Sequence, residues 1–420
     1  MKRYKVLLPT LFMVFSIMVS ACSGLIPLND EPVAGDFGPN YSLQEHQTRT
    51  FDALWKNIQD SYIYYKTSEV DWNALHDKYI DKIKSGLTAE EFNSLLKGLG
   101  TALPEGSVTY QSRPERLQLD TAETATYDGI GAFVGFQEQG VPHIVILSVI
   151  QGSPAEAAGL KAHDSIFEID GNPVDLQEGL NAVNRIRGPA GSSVTLDIQS
   201  PGEPKRTVDV KRASLASTGK LEASVLTDTE YGYLLFPPIG YQGLDQDVIN
   251  SLKTLTTNRQ LKGLILDLRV ANSSQNWPIE ALATLFSNGS IGDLYNRSQQ
   301  QTISVEGQDV VGSQTIPLVI LVGKNTNGFS EIFAASMQLK KRAALIGEQT
   351  PGKVETQSAF YLPDGSRIFV ETTSFRLSNG AEIGTTGVMP DVKVAASWDQ
   401  VQPDNDPVIE QAVKVLGSTK

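Results

Sequence analysis

The sequence predicts a multidomain α/β protein, with an N-terminal helical segment, a β-rich middle domain and an α/β core. Three observations carry that expectation. A chain of 420 residues is long enough for two or three domains, each with a sizeable core. Between Leu43 and Gly100 apolar side chains recur at helical spacing. From Tyr231 onward a short strand, a helix and an almost wholly apolar strand follow one another, the alternation that builds α/β layers.

The first residues read as a targeting segment rather than as fold. Lys2, Arg3 and Lys5 form a positive region, Val6 to Val19 an apolar one, and Val19-Ser20-Ala21-Cys22 a small-residue cleavage site. That ending resembles the bacterial lipobox, after which Cys22 would be lipidated and become the mature N-terminus. An ordinary secretory signal and a membrane anchor are the alternatives, although the apolar run is short for a span. The expectation is an exported protein, lipid-anchored at the bacterial cell envelope. Cys22 is the only cysteine, so the exported part folds without disulfides. The formal charge of −13 makes nucleic acid an unsuitable partner, because phosphate binding needs basic patches.

Residues 23–42, rich in Pro, Gly, Asn and Asp, read as a tether. Residues 43–125 form the helical domain. Phe51, Leu54, Trp55 and Ile58 make one stripe, Trp72, Leu75, Tyr79 and Ile83 a second, and Phe92, Leu95, Leu96 and Leu99 a third. Thr88 and Glu91 have the spacing of a capping box.

Residues 126–213 are expected to form the β-rich domain. Ile144 to Val149 alternates as a strand, and Gly152-Ser153-Pro154-Ala155, Ala158-Gly159-Leu160 and Ile166 to Gly171 follow. This order resembles a PDZ domain. The resemblance places Gly129, Ile130, Gly131 and Ala132 in the carboxylate-binding loop, where backbone N–H groups would hold the C-terminus of a protein or peptide laid along a strand edge. His163 stands where that family usually has Gly, and reads as a loop residue rather than a ligand.

Residues 214–420 make the core. Tyr231 to Phe236 is a strand, Asp245 to Leu255 a helix, Gly263 to Arg269 and Ile316 to Val322 buried strands, and Val408 to Leu416 a last helix. A helix begins near Phe329, capped by Asn327 or Gly328, with Ile332, Phe333, Ser336, Met337 and Leu339 on its apolar face. The strand Ala343 to Gly347 and the turn Thr350-Pro351-Gly352-Lys353 come next. A lysine near a helix N-terminus suits a Ser/Lys hydrolase, where partial burial must keep the amine neutral enough to take a hydroxyl proton. Alone, Lys353 is more ordinarily a solvated turn residue.

The run Thr350 to Val394 resembles the C-terminal signature of the tail-specific (C-terminal processing) serine proteases. Gly352-Lys353, Gln357, Asp364-Gly365-Ser366, Asn379-Gly380, Ile383-Gly384, Gly387 and Pro390-Asp391-Val392 fall in that family's register. The helical segment and the PDZ-like domain resemble its other two parts. The resemblance implies cleavage near protein C-termini with a Ser nucleophile, Lys353 as general base, Gln357 as its orienting partner, and neither metal nor other cofactor.

Two active-site segments depart from the pattern. The family has its nucleophilic serine three residues before a glutamate, and here Glu331 is preceded at that distance by Gly328. Ser330 lies two residues on, turned away by about 100° per residue in a helix. The glycine-rich turn implied as an oxyanion hole is Ser273-Ser274 here, and Ser adopts positive φ far less readily than Gly. The favoured expectation is a relative that binds C-termini with cleavage weak or lost. The alternatives are a working serine peptidase with a displaced nucleophile at Ser330, Thr326 or Ser274, and a structural envelope protein.

Overall fold

The computed structural model describes residues 41–104, 106–122, 127–215, 219–272, 277–384, 386–402 and 405–418. The Val19-Ser20-Ala21-Cys22 motif, nearly all of the tether and Ser273-Ser274 lie outside the described residues. Among those described, no helix is long and apolar enough to cross a membrane.

The first helix, Leu43–Ser61, starts at a capping box in which Ser42 and Glu45 satisfy each other's backbone N–H groups. Asp71 caps Trp72–Lys84, and Thr88 with Glu91 forms the expected box on Ala89–Lys97. Phe51, Leu54, Ile58, Tyr79, Ile83, Phe92, Leu96 and Leu99 meet in one core. That core does not close on itself. It continues into Val108, Tyr110, Leu362, Ile368 and Val370, because the strand Val108–Gln111 pairs antiparallel with the start of Arg367–Leu377. The sheet thus supplies one face of the helical core.

In the β-rich domain the strands Ala132–Gln137, His143–Val149, Ser165–Ile169, Ser193–Gln199 and Arg206–Lys211 lie side by side in chain order. Ile144, Ile146, Ile166, Val194, Leu196 and Ile198 fill its interior. The opposite face of the second strand, Val145 and Leu147, packs on Val270 of the core with Phe133, Leu235 and Trp398 around it. Ala132–Gln137 is an edge strand.

The core is built on a six-stranded sheet ordered Glu222–Val225, Tyr231–Leu235, Gly263–Asp267, Leu318–Val322, Ala344–Gly347 and Val392–Lys393. Every pair is parallel except the first. The central strands Gly263–Asp267 and Leu318–Val322 are buried along their whole length, as parallel strands covered on both faces must be. A second sheet, formed around Arg367–Leu377 with Thr356–Tyr361 on one side, joins the core to the helical segment. The helix Phe329–Leu339 differs from the amphipathic expectation. Every residue from Ser330 to Met337 is buried, because the helix is wedged among neighbouring helices and strands rather than laid on a surface.

Candidate active site

In an open parallel sheet, loops at the carboxyl ends of the strands make the natural binding crevice. Gly328 and Lys353 both sit in such loops, after the adjacent strands Leu318–Val322 and Ala344–Gly347. The backbone joins them directly: the Gly328 N–H donates to the Lys353 carbonyl over 2.8 Å.

Gly328 is the residue that caps the helix, with φ 64° and ψ −131° and no side-chain capping bond. Only glycine adopts that region freely, since a Cβ there meets the flanking backbone. The helix start therefore faces Lys353 with bare backbone.

Ser330 does not reach this crevice. It is fully buried, its hydroxyl within 2.7 Å of the Ala271 carbonyl and 2.8 Å of the Asn327 carbonyl. Thr326 is equally buried, donating to the Leu268 carbonyl at 2.7 Å and accepting from the Gly323 N–H at 3.0 Å. These two hydroxyls staple the Gly323 to Gly328 loop to the end of the neighbouring strand. The displaced-nucleophile expectation for both is thus corrected, because a buried hydroxyl spent on backbone carbonyls is not presented to a substrate.

Glu331, which in the sequence serves only to locate the nucleophile position, proves to be what holds the lysine loop. Its buried carboxylate accepts from the Thr350 hydroxyl, from the Gly352 N–H at 2.7 Å and from the Lys353 N–H at 3.1 Å. Burial pushes its pKa up to about 7 against the pull of those bonds. A lone acid one turn into a helix of otherwise apolar and small residues was the signal available for it.

Lys353 is exposed rather than partly buried, and it opens onto a cavity of about 690 Å³. Gln357, Glu355 and Glu371 line the same cavity, and Tyr62 and Tyr64 come to it from the helical segment. The Gln357 side-chain amide donates to the Gly106 carbonyl over 2.5 Å, so it ties the strand to that segment. Glu355 accepts from the Tyr64 hydroxyl at 2.6 Å and from Ser374 at 3.1 Å. Burial, then the charge of Glu355, push Glu371 up to about 7, with Lys353 opposing. None of these acids or tyrosines was singled out in the sequence, because their contribution depends on the second sheet meeting the helices. Among the described residues no group of three or more His, Cys, Asp or Glu is placed to hold a metal ion.

Asp267 and Arg269 belong to an ion cluster. Arg269 bonds Asp267 through two nitrogens and reaches Asp406 at 2.6 Å, pinning the strand's end to the start of the last helix.

The Gly129 to Ala132 loop lies in the β-rich domain. The Gly131 carbonyl accepts from the Ile150 N–H at 2.9 Å, and the Ile130 carbonyl from the Ala155 N–H at 2.7 Å. Gly131 has φ 84°, and a Cβ on it would fall 2.3 Å from that of Ser153, so only glycine fits. Ala132 opens the edge strand, and Gly135 within it faces the core, a Cβ there falling 3.3 Å from Asn325 Oδ1. The loop and the Gly328 crevice are thus linked by one strand and one loop.

Known proteins match this arrangement. The model of peptidase family S41 matches residues 230–394, that of the PDZ domain residues 123–199, and that of the Tricorn protease C1 domain residues 44–99. The carboxyl-terminal-processing protease of Picosynechococcus is 30% identical over 354 residues, covering 80% of each chain. The chain belongs to the carboxyl-terminal processing protease family, peptidase family S41. The carboxyl-terminal-processing protease of Synechocystis is 29% identical over 386 residues, 90% of this chain and 85% of that one. In fold it is similar to the photosystem II D1 C-terminal processing protease, with a TM-score of 0.63 at 22% identity over 90% of this chain and 98% of the other. Family membership accounts for the three-part organisation that the sequence resemblance implied.

Proposed function

We propose that this member of the family is an exported, lipid-anchored envelope protein that binds protein C-termini through its PDZ domain, with cleavage weak or lost. The observation that carries the proposal is Gly328. The residue in the nucleophile position offers no hydroxyl at the point where the backbone meets Lys353, and the nearby hydroxyls of Ser330 and Thr326 are buried in backbone bonds. Removing a nucleophile costs several orders of magnitude in rate and leaves only the contribution of binding and oxyanion groups. Gly129, Ile130, Gly131 and Ala132 would hold the terminal carboxylate, and Cys22 would carry the lipid. The test is to incubate the purified protein with an unfolded protein carrying a free C-terminus, in the presence of a serine-reactive probe. Binding without turnover and without a covalent adduct is expected. Turnover that Lys353→Ala abolishes would overturn the proposal.

A further inference from the structure

The PDZ domain is clasped to the core by the short turn Trp398–Gln400, which lies between the last strand of the main sheet and the final helix. The Trp398 indole N–H donates to the Ile146 carbonyl at 3.1 Å. Two histidines of the PDZ domain meet the same turn, and they meet it in opposite ways.

His143 has an acceptor at each ring nitrogen. Nε2 lies 3.1 Å from Asp399 Oδ2, and Nδ1 lies 2.8 Å from the Val141 carbonyl. A neutral imidazole has one N–H and satisfies one of them, whereas the imidazolium satisfies both. The pair is nearly enclosed, with side chains 7% and 11% exposed, and the other oxygen of Asp399 has no hydrogen-bond partner among the described residues. The Gln137 side chain also faces Asp399, the Phe167 ring lies 4.9 Å from that of His143, and the Lys205 ammonium lies over the Phe167 ring. Burial pulls the His143 pKa down, but the bonds to Asp399 and Val141 outweigh burial and Lys205, and the pKa rises on balance.

His163 has one acceptor and a cation nearby. Held in the left-handed region at φ 76°, it stacks on Trp398 with ring centroids 4.1 Å apart and donates from Nδ1 to the Trp398 carbonyl at 2.6 Å. Arg269 lies over the Trp398 ring and is itself paired with Asp267 and Asp406. Burial lowers the His163 pKa, the Trp398 carbonyl and the two acids oppose it, and Arg269 adds to the lowering.

We propose that docking of the PDZ domain on the core is gated by protons through this pair, tightest where His143 is charged and His163 neutral and looser on either side. The signs are opposite. His143 binds its proton more tightly when docked, so its contribution is full below its free value and is lost as pH rises through the docked one. His163 binds its proton less tightly when docked, so its contribution is full above its free value and is lost as pH falls through the docked one. Both start from an ordinary value of 6.5, which places the optimum near that pH. A histidine whose docked and free pKa values lie one pH unit apart changes the docking equilibrium about tenfold. Because Gly135 of the peptide-binding edge strand packs beside Asn325, loosening the clasp would also release one wall of the loop that leads to Gly328.

The experiment is hydrogen exchange on the full chain across pH 5 to 9, corrected for intrinsic rates and read over residues 143–149 and 396–400. It is paired with NMR titration of the histidines, of which the chain has four. Protection of both segments should peak near pH 6.5 and fall on each side, by up to about tenfold for every pH unit that separates the docked and free pKa values of the histidine responsible. His143→Gln and Asp399→Asn should each remove the alkaline limb and spare the acid one. His163→Asn, which tolerates the left-handed backbone, should do the reverse. If His143→Gln undocks the domain at every pH, Asp399→Asn decides the alkaline limb. Protection that is flat with pH in the unmodified chain, or an alkaline limb that survives Asp399→Asn, would overturn the proposal.

Discussion

If Gly328 occupies the nucleophile position as proposed, Gly328→Ser puts a hydroxyl there, and the backbone sets what that substitution costs. At φ 64° and ψ −131° a side chain is strained by about 1–3 kcal/mol. Restricting the unfolded chain returns about 0.4–1 kcal/mol, so a net loss of between about 0 and 2.6 kcal/mol is expected, visible as a fall in Tm of at most a few degrees. The helix cap should survive, because the Gly328 N–H bond to Lys353 and the Ile332 N–H bond to Gly328 are backbone interactions. Catalysis is a separate matter. One missing oxyanion donor costs about a hundred-fold or more, so Gly328→Ser alone should give at most faint cleavage. Adding Ser273→Gly and Ser274→Gly should raise it by that factor. The assay follows cleavage of an unfolded protein and maps the adduct of a serine-reactive probe by mass. Strong cleavage by Gly328→Ser alone would refute the oxyanion part of the reasoning. A triple variant that folds, binds and still forms no adduct at residue 328 would refute the placement of the nucleophile.

Three further outcomes are expected. Glu331→Gln leaves a buried N–H donor facing other donors, which should cost about 1–3 kcal/mol by chemical denaturation. Because the Glu331 pKa is raised to about 7 from 4.5, its contribution to stability is full below 4.5 and is lost as pH rises through 7, and Glu331→Gln should flatten that part of the Tm–pH curve. Peptides ending in an apolar residue with a free carboxylate should bind more tightly than their amidated forms in a calorimetric titration, and equal affinities would count against the Gly129 to Ala132 loop as the carboxylate site. Cys22→Ser should release the protein from the membrane fraction or block its processing, and unchanged membrane association would dispose of the lipid anchor.

Local chemistry is what the sequence by itself determined. The capping box at Thr88 and Glu91, the apolar stripe from Phe51 to Ile58 and the buried strands at Gly263 and Ile316 depend on neighbours within a few residues, and all stand in the structure. The contiguous signature from Thr350 to Val394 was legible for the same reason, and it was enough to name the family. Tertiary structure decided the rest. No spacing in the chain says that Val108–Gln111 pairs with a strand some 260 residues later, so the joining of the helical segment to the core, and with it the entry of Tyr62 and Tyr64 into the Lys353 cavity, was invisible. Helix spacing turned Ser330 away from Gly328, but its burial against two carbonyls was invisible, because that depends on which strand end lies above it. His163 read correctly as a loop residue, but only the docking of two domains shows that its ring reaches across to Trp398, since contacts between domains follow from surfaces that no single segment encodes.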